Sequence, residues 1–411
     1  MAEPKVAAAV FEPPPPVPNC SSKKGYFIVP NTTSCMKILG MIRAQGLIHE
    51  NNVAADSWSS EMSGAIQTTT QSNDTWSMGT ALRFGADVVQ ETDYGTLRGN
   101  VMLQADPGTD GSGGPAGIRY AFVTFGGFTA GHTNTFFAPD GALGGYGGAV
   151  GDYDTRRSLF AYTAKFTDEV SASIAIEDHD ATDGSDGVGG SGPTAANAGI
   201  ALAPGPSHIL NDSTQLPDLV GNVVGKFDWG LLFASGAIGQ FRSRDDVTHI
   251  PYNYAGYALG LGGNVKLDGL AKGDALQAKV GFADGLGGLI GSSDDHAVFD
   301  TVGPDIGTYT TSGYTVQGSF VHNWSPTWSS TAYGGYAGAD RSASTDPTVA
   351  ALLNDKVVTA WNLGANVQWS PVENYTIGGE LFYGSATREN NITGDYTADA
   401  IGSIVRVQRD F

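Results

Sequence analysis

The stretch Trp361-Asn362-Leu363-Gly364-Ala365-Asn366-Val367-Gln368-Trp369 decides the fold. Trp361, Leu363, Ala365, Val367 and Trp369 share one parity, and Asn362, Gly364, Asn366 and Gln368 share the other, the period of two that a β-strand imposes on its side chains. The polar parity is rich in amides and suits water. The same grammar recurs along the chain. Trp76, Met78, Leu82, Phe84 and Val88 oppose Ser77, Gly79, Arg83, Gly85 and Asp87, and Leu97, Val101 and Leu103 oppose Arg98, Asn100 and Gln104. Leu276, Ala278, Val280 and Phe282 oppose Gln277 and Lys279, while Val405 and Val407 oppose Arg406 and Gln408.

Composition narrows the class. Among 411 residues there are 58 glycines, about twice ordinary usage and too many for a helical protein. Hydrophobic residues at 41% exclude a disordered polyanion. Mean hydropathy is −0.13, and no apolar run approaches the ~18 residues that a spanning helix needs. With 22 Lys and Arg against 42 Asp and Glu, the formal charge is −20. Nucleic acid is therefore not an expected partner, because phosphate binding draws on clustered basic residues.

Connections of two kinds alternate. Short turns fall at Glu91 to Gly95, Thr167 to Glu169, Asp228 to Gly230, Asp268 to Gly273, Ser325 to Thr327 and Ser370 to Asn374. Between them lie long Gly-, Asp-, Ser- and Pro-rich loops, including Asp178 to Pro217, Gly285 to Thr308 and Asp340 to Lys356. Outer-membrane barrels alternate short and long connections in this way, and about 370 residues at roughly 23 per strand and connection give about sixteen strands. Sixteen strands leave a water-filled lumen. A soluble sandwich or propeller would share the period but bury the apolar parity. Trp76, Trp229, Trp324, Trp328, Trp361, Trp369, Tyr94, Tyr254, Tyr375 and Phe411 lie at or near strand ends and turns, where amphipathic rings anchor a barrel in lipid. The expected fold is all-β, a transmembrane antiparallel β-barrel.

The amino-terminal end reads differently. Pro13 to Pro16 form an extended spacer, so residues 1–19 are expected as a Pro-rich segment outside the barrel. Cys20 and Cys35 are the two cysteines. In an oxidising compartment they most simply form one disulfide, closing a loop of about 16 residues and worth roughly 3 kcal/mol; a reduced pair in a cytosolic protein is the alternative. Residues 20–35 are then the closed loop and 36–411 the barrel.

Motifs of enzyme chemistry do not hold together. Ser34-Cys35-Met36-Lys37 fits S-x-x-K but has no accompanying S-D-N or K-T-G and opens a strand. Gly144 to Gly151 lacks the βαβ context and the following Lys of a phosphate loop. Glu177-Asp178-His179-Asp180 with Asp183 and Asp186 misses the calcium-loop register, and the seven histidines do not fall at metal-ligand spacing. No enzyme activity, cofactor or metal is expected.

Four segments resemble the alphaproteobacterial porin family, trimeric sixteen-stranded general diffusion channels. They are Gly25-Tyr26-Phe27-Ile28-Val29-Pro30 with Thr33 to Ile38, Tyr94-Gly95-Thr96-Leu97-Arg98, Arg119-Tyr120-Ala121-Phe122 through Phe125 to Gly131 and on to Phe136-Phe137, and the closing Arg406 to Phe411. His132 stands where the family commonly has a basic residue.

The resemblance implies an inward-folded constriction loop after the fifth strand, its acids facing a basic wall. Here that loop is Phe137 to Tyr153, with Asp140 and Asp152, and with Asp154 at its exit. Arg43, Arg83 and Arg98 are the opposing wall, with Lys226, Arg242, Lys279 and Arg406 as further candidates. It also implies a homotrimer in outer-membrane lipid and lipopolysaccharide, passing small hydrophilic solutes. Ala2 before Glu3 resembles the alanine through which some such barrels are joined to peptidoglycan. The acid excess predicts weak cation preference. A substrate-specific channel, which would show an aromatic ladder or dedicated sites, is the alternative; a barrel enzyme or an adhesin stands further off.

Overall fold

A computed structural model describes residues 20, 23–50, 76–105, 117–141, 143–151, 155–178, 216–244, 251–291, 298–299, 308–309, 312–340, 357–389 and 396–411. Period-two segments become strands throughout. In chain order they are β1 (Phe27–Ile28), β2 (Cys35–Glu50), β3 (Trp76–Thr92), β4 (Gly95–Ala105), β5 (Gly117–Phe125), β6 (Phe128–Asn134), β7 (Arg156–Lys165), β8 (Val170–Glu177) and β9 (Asp218–Phe227). There follow β10 (Gly230–Arg244), β11 (Pro251–Lys266), β12 (Ala275–Asp284), β13 (Val298–Phe299), β14 (Thr308–Tyr309), β15 (Ser312–Ser325), β16 (Trp328–Asp340), β17 (Val357–Val372), β18 (Tyr375–Glu389) and β19 (Tyr396–Asp410). β13 and β14 pair only with each other, and β1 lies on the first residues of β2.

The other sixteen strands form one closed antiparallel barrel, each paired with its sequence neighbour. Closure is made where β19 meets β2, from Ile401 opposite Glu50 to Asp410 opposite Met41. The chain's last residue completes the seam. Phe411 exchanges backbone hydrogen bonds with Gly40 at 2.9 and 3.0 Å, and a Cβ on Gly40 would stand 2.1 Å from the Phe411 ring. A glycine is needed there for the ring to lie flat against the strand.

Burial runs inside out. Leu363 is 60% and Leu381 70% exposed, whereas the alternating residues Asn362 and Glu380 are 1% and 2% exposed. An apolar outer face with polar groups packed inward is the arrangement that lipid demands and the reverse of a soluble sandwich. Aromatic pairs ring the outer surface at two levels. Near the short turns stand Trp328 with Trp369, Phe227 with Trp229 and Phe128 with Tyr162, at centroid distances of 6.0, 5.0 and 4.8 Å. Toward the other end stand Trp361 with Tyr383, Tyr314 with Tyr336 and Tyr257 with Phe282, at 5.5, 5.9 and 6.0 Å. The levels lie eight residues apart on β16 (Trp328 to Tyr336) and on β17 (Trp361 to Trp369). That is about 26 Å along a strand, and the strand tilt brings it near or below the ~25 Å height of an apolar membrane band.

Cys20 and Cys35 are joined in a disulfide, 15 residues apart in sequence. The sulfurs pack with Val89 and Tyr26 on the lumen side of β2 and β3. Tyr26 donates its hydroxyl proton to Asp87, which also accepts from Arg98 Nε at 2.6 Å. Lys23 reaches Glu91 at 2.7 Å and Lys24 reaches Glu373, in the turn between β17 and β18, at 2.8 Å. The Lys24 ammonium holds the Glu373 carboxyl below its ordinary range. The closed loop thus spans part of the short-turn mouth of the barrel.

Ala365 lies on the outward face midway between Trp361 and Trp369. Ala365→Arg is expected to destabilise the folded barrel by about 2–4 kcal/mol, the cost of a cation near the bilayer midplane. Reversible denaturant unfolding from lipid vesicles reads this, and an unchanged midpoint would place that face out of contact with lipid.

Candidate functional site

At one level the lumen-facing residues of β7–β12 are small. Ala161, Ala175, Val220, Ala237, Ala258 and Ala283 leave a recess, and two segments fold into it. One is residues 135–151, following β6; the other is the 3-10 turn Gly287–Ile290 following β12. Phe137, wholly buried, meets Leu286, Leu289 and Ile290 there. The first segment is tied down where it leaves the wall. Thr135 Oγ1 and the Phe136 N–H donate to Glu177 at 2.7 and 2.8 Å, and Asn222 Nδ2 donates to the Phe136 carbonyl at 2.5 Å.

From Phe137 the segment crosses to the wall formed by β12 and β15–β19. Asp140 approaches Lys279 Nζ at 3.5 Å and accepts from Gln277 Nε2 at 3.1 Å, while Lys279 also donates to the Gly141 carbonyl. Both side chains of this ion pair are fully covered. Further on, Glu380 accepts from the N–H groups of Tyr146 and Gly147 at 2.7 Å each, from the Tyr333 hydroxyl at 2.7 Å and from Asn366 Nδ2 at 3.0 Å. Asn362 accepts from the Val150 N–H at 2.9 Å and donates to the Gly148 carbonyl at 2.8 Å. The loop backbone, which has no ladder of its own, is thereby satisfied by wall side chains. Gly335 makes the close approach possible, since a Cβ there would stand 2.1 Å from the Val150 carbonyl oxygen.

Arginines occupy the lumen face from β19 round to β5. Arg406 donates through Nε and Nη2 to Gln45 Oε1 at 3.0 and 2.6 Å and through Nη2 to the Tyr146 carbonyl at 3.1 Å. Its guanidinium carbon lies 4.1 Å from the Tyr146 ring centroid. Arg43, on the same face of β2, pairs in register with Gln408 and with Ala81. Arg83 Nε and Arg119 Nη1 donate to one acceptor, Gln104 Oε1, at 2.9 and 2.6 Å. Arg119 and Arg156 flank Tyr120, their guanidinium carbons 5.5 and 6.0 Å from its ring centroid.

The expected wall is redistributed. Arg43, Arg83 and Arg406 stand on the lumen face, Arg406 against the loop, but Asp140 meets Lys279, because the loop's own path carries it to β12. Arg98 faces inward near the short turns, paired with Asp87. Lys226 takes the inward parity of Val220 and Val224 and is exposed at the short-turn end of β9. Arg242 lies in β10 opposite Asn253 of β11. His132, opposite Ala121 and Ser158, also takes the outward parity. Asp152, Asp154 and Ala2 lie outside the described residues.

Arg119 is the wall residue that alternation conceals. Counting back from the outward Val123 and Ala121 places it in lipid. A bulge alters the count: Met102 pairs with Tyr120 and Leu103 with Ile118, leaving Arg119 as the extra residue, turned inward to Gln104. Its only sequence signal is a cation on an otherwise apolar parity. The inward turn after β12 carries a comparable signal, Leu286, Leu289 and Ile290 within a polar loop.

Removing the Glu380 carboxylate leaves four donors without their acceptor, each such charge-assisted bond being worth about 1.5–3 kcal/mol. Glu380→Ala is therefore expected to free the middle of the loop and give larger, noisier single-channel currents. Conductance and noise equal to the unmodified protein would show that the loop is held without this carboxylate.

Known proteins match this architecture. The channel DcaP of Acinetobacter baumannii superposes with a TM-score of 0.67 at 15% identity, covering 92% of this chain and 97% of that one. The trimer form of OmpT, an outer membrane protein of Vibrio cholerae, gives 0.52 at 10% identity over 92% and 99%. Salmonella typhi OmpF in complex with daunomycin gives 0.52 at 10% identity over 92% and 98%. No curated protein sequence matches the chain. A family model described as the porin subfamily matches residues 11–405. The closed sixteen-stranded barrel, apolar outside, accords with that match, and the chain belongs to the porin subfamily, channels of the bacterial outer membrane.

Proposed function

We propose that the protein is a general diffusion porin, passing small hydrophilic solutes and ions down their gradients through the lumen left beside the inward loop. The observation that carries this reading is the pairing of a lipid-suited outer face with a polar inner face across which residues 135–151 are strapped. Transport needs no covalent step, and no enzyme activity is assigned. Short turns face the periplasm and long loops the exterior, in a setting of outer-membrane lipid and lipopolysaccharide. Three copies per assembly follow the precedent of the Vibrio cholerae trimer form. Kinship with the alphaproteobacterial branch rests on the four sequence segments, and a peptidoglycan link through Ala2 on the Ala-Glu start.

Ion preference has two opposed sources. The formal charge of −20 favours cations, whereas the arginines beside the loop favour anions. The second reading, a channel with dedicated sites, gains support because aromatic rings stand next to Arg119 and Arg406, at Tyr120 and Tyr146.

Planar-bilayer recording tests the main reading. Large ohmic steps arriving in threes are expected from the purified protein, together with swelling of proteoliposomes in small sugars. A protein that inserts yet carries no current would end the channel reading.

A further inference from the structure

We propose that the turn Gly287–Ile290 and the preceding Leu286 are a positioning element of the channel, a wedge that holds the neck of the inward loop and so sets how large a solute passes. The inference rests on the diffusion-channel reading and assigns a role in it to the second inward segment.

The neck is where the loop leaves and regains the wall. At its base the Thr135 N–H donates to the Thr155 carbonyl at 3.0 Å. From there the outgoing limb lays Phe137 on β11, and the returning limb lays Gly151 on β15, whose Gln317 Nε2 donates to the Gly151 carbonyl. Between those two strands runs β12. Ile290 is seated on it.

Register puts the three contacts in one row. Gly260 of β11 pairs with Gly281 of β12, and Gly281 pairs with Thr315 of β15. A Cβ on Gly260 would stand 3.0 Å from the Phe137 ring, and one on Gly281 would stand 2.7 Å from Ile290 Cγ2. The wall is cut away at the two positions where large side chains enter. Thr315 completes the row by taking the returning limb, its Cγ2 lying 2.7 Å from where a Cβ on Gly151 would be. Both limbs and the wedge therefore rest on neighbouring inward positions at one level.

Burial and backbone mark the wedge as a defined element. Leu286, Leu289, Ile290 and Phe137 are each fully buried, although a barrel of sixteen strands has a wet interior. Apolar groups there escape water only by packing on one another and on the wall. The Leu289 N–H donates to the Leu286 carbonyl at 3.2 Å, and the Gly291 N–H closes the turn on the Gly287 and Gly288 carbonyls. Glu380 and Asn362 hold residues 146–150, farther along the loop. Lys279, the next inward position of β12, pairs with Asp140, three residues beyond Phe137. Wedge and ion pair thus grip the same limb.

Single-channel conductance, and swelling of proteoliposomes in sugars of increasing size, test the wedge on the full-length protein. Leu289→Ala/Ile290→Ala removes the packing against Phe137 while leaving the hydrogen bonds of the loop in place. An upward shift in conductance is expected, with entry of larger sugars than the unmodified protein admits. Gly281→Val fills the seat of Ile290 from the wall side and should shift both readouts the same way, so either variant suffices should the other fail to insert. Ile290→Val, which keeps most of the side chain, is expected to stay near the unmodified values. Leu363→Ala removes apolar volume from the lipid-facing side of β17 and should leave both readouts unmoved. Unmodified conductance and sugar cutoff in the inserted wedge variants, or an equal shift from Leu363→Ala, would overturn the wedge and leave the channel standing. An unmodified protein that inserts without conducting would instead remove the channel reading.

Discussion

In hydrocarbon an unpaired backbone N–H or C=O costs several kcal/mol, so a sheet that crosses a membrane has to close. The meeting of β19 with β2 is where that requirement falls on this chain. Sixteen strands with short turns at one end deliver β19 to β2 in antiparallel register, and Phe411 finishes the ladder against Gly40. Closure then fixes everything inward of it. Each strand keeps one parity for lipid and one for the lumen, so the lumen is lined by whatever the second parity carries.

That inner parity is divided among three kinds of wall. β7–β12 bear alanine and valine at one level, β2–β5 and β19 arginines and glutamines, and β15–β18 amides, hydroxyls and, among the described residues, one carboxylate. A barrel of this size cannot fill itself from its walls. The small-residue sector accepts Phe137 and the Gly287–Ile290 turn as an apolar filling, worth roughly 1.5–3 kcal/mol for each large side chain buried. The amide sector gives the rest of the loop its hydrogen bonds. On the β19 side the loop meets Arg406, which donates to the Tyr146 carbonyl.

Strand existence, the inside-out pattern and the girdles were legible because each is a local property of period and residue type, as in Trp361 to Trp369. The path of the loop was not. Its glycines and its place after the fifth strand marked it as inward-folding, but only the fold brings Glu380 to Tyr146 and Gly147, more than 230 residues away. Lys279 and Asp140 were both singled out, yet as members of opposing faces; their burial together depends on a cross-lumen contact that no spacing encodes. Arg119 escapes alternation for a different reason. Parity assigns a face only while the register is unbroken, and a correct face for Arg119 needs the bulge at Met102 and Leu103.

Whole-chain charge is a coarse guide to ion preference for a related reason. A formal charge of −20 is a sum over every loop and turn, whereas a permeating ion responds to the groups within a screening length of its path. In a narrowed pore with low-dielectric walls those groups are few and their fields are focused. Here the described acids of the constriction are spent on holding the loop: Asp140 on Lys279, Glu380 on backbone N–H groups. A carboxylate that anchors a strap is already solvated by its donors and offers little to a passing cation. Arg406, beside the strap, donates to the Gln45 amide oxygen and to the Tyr146 carbonyl.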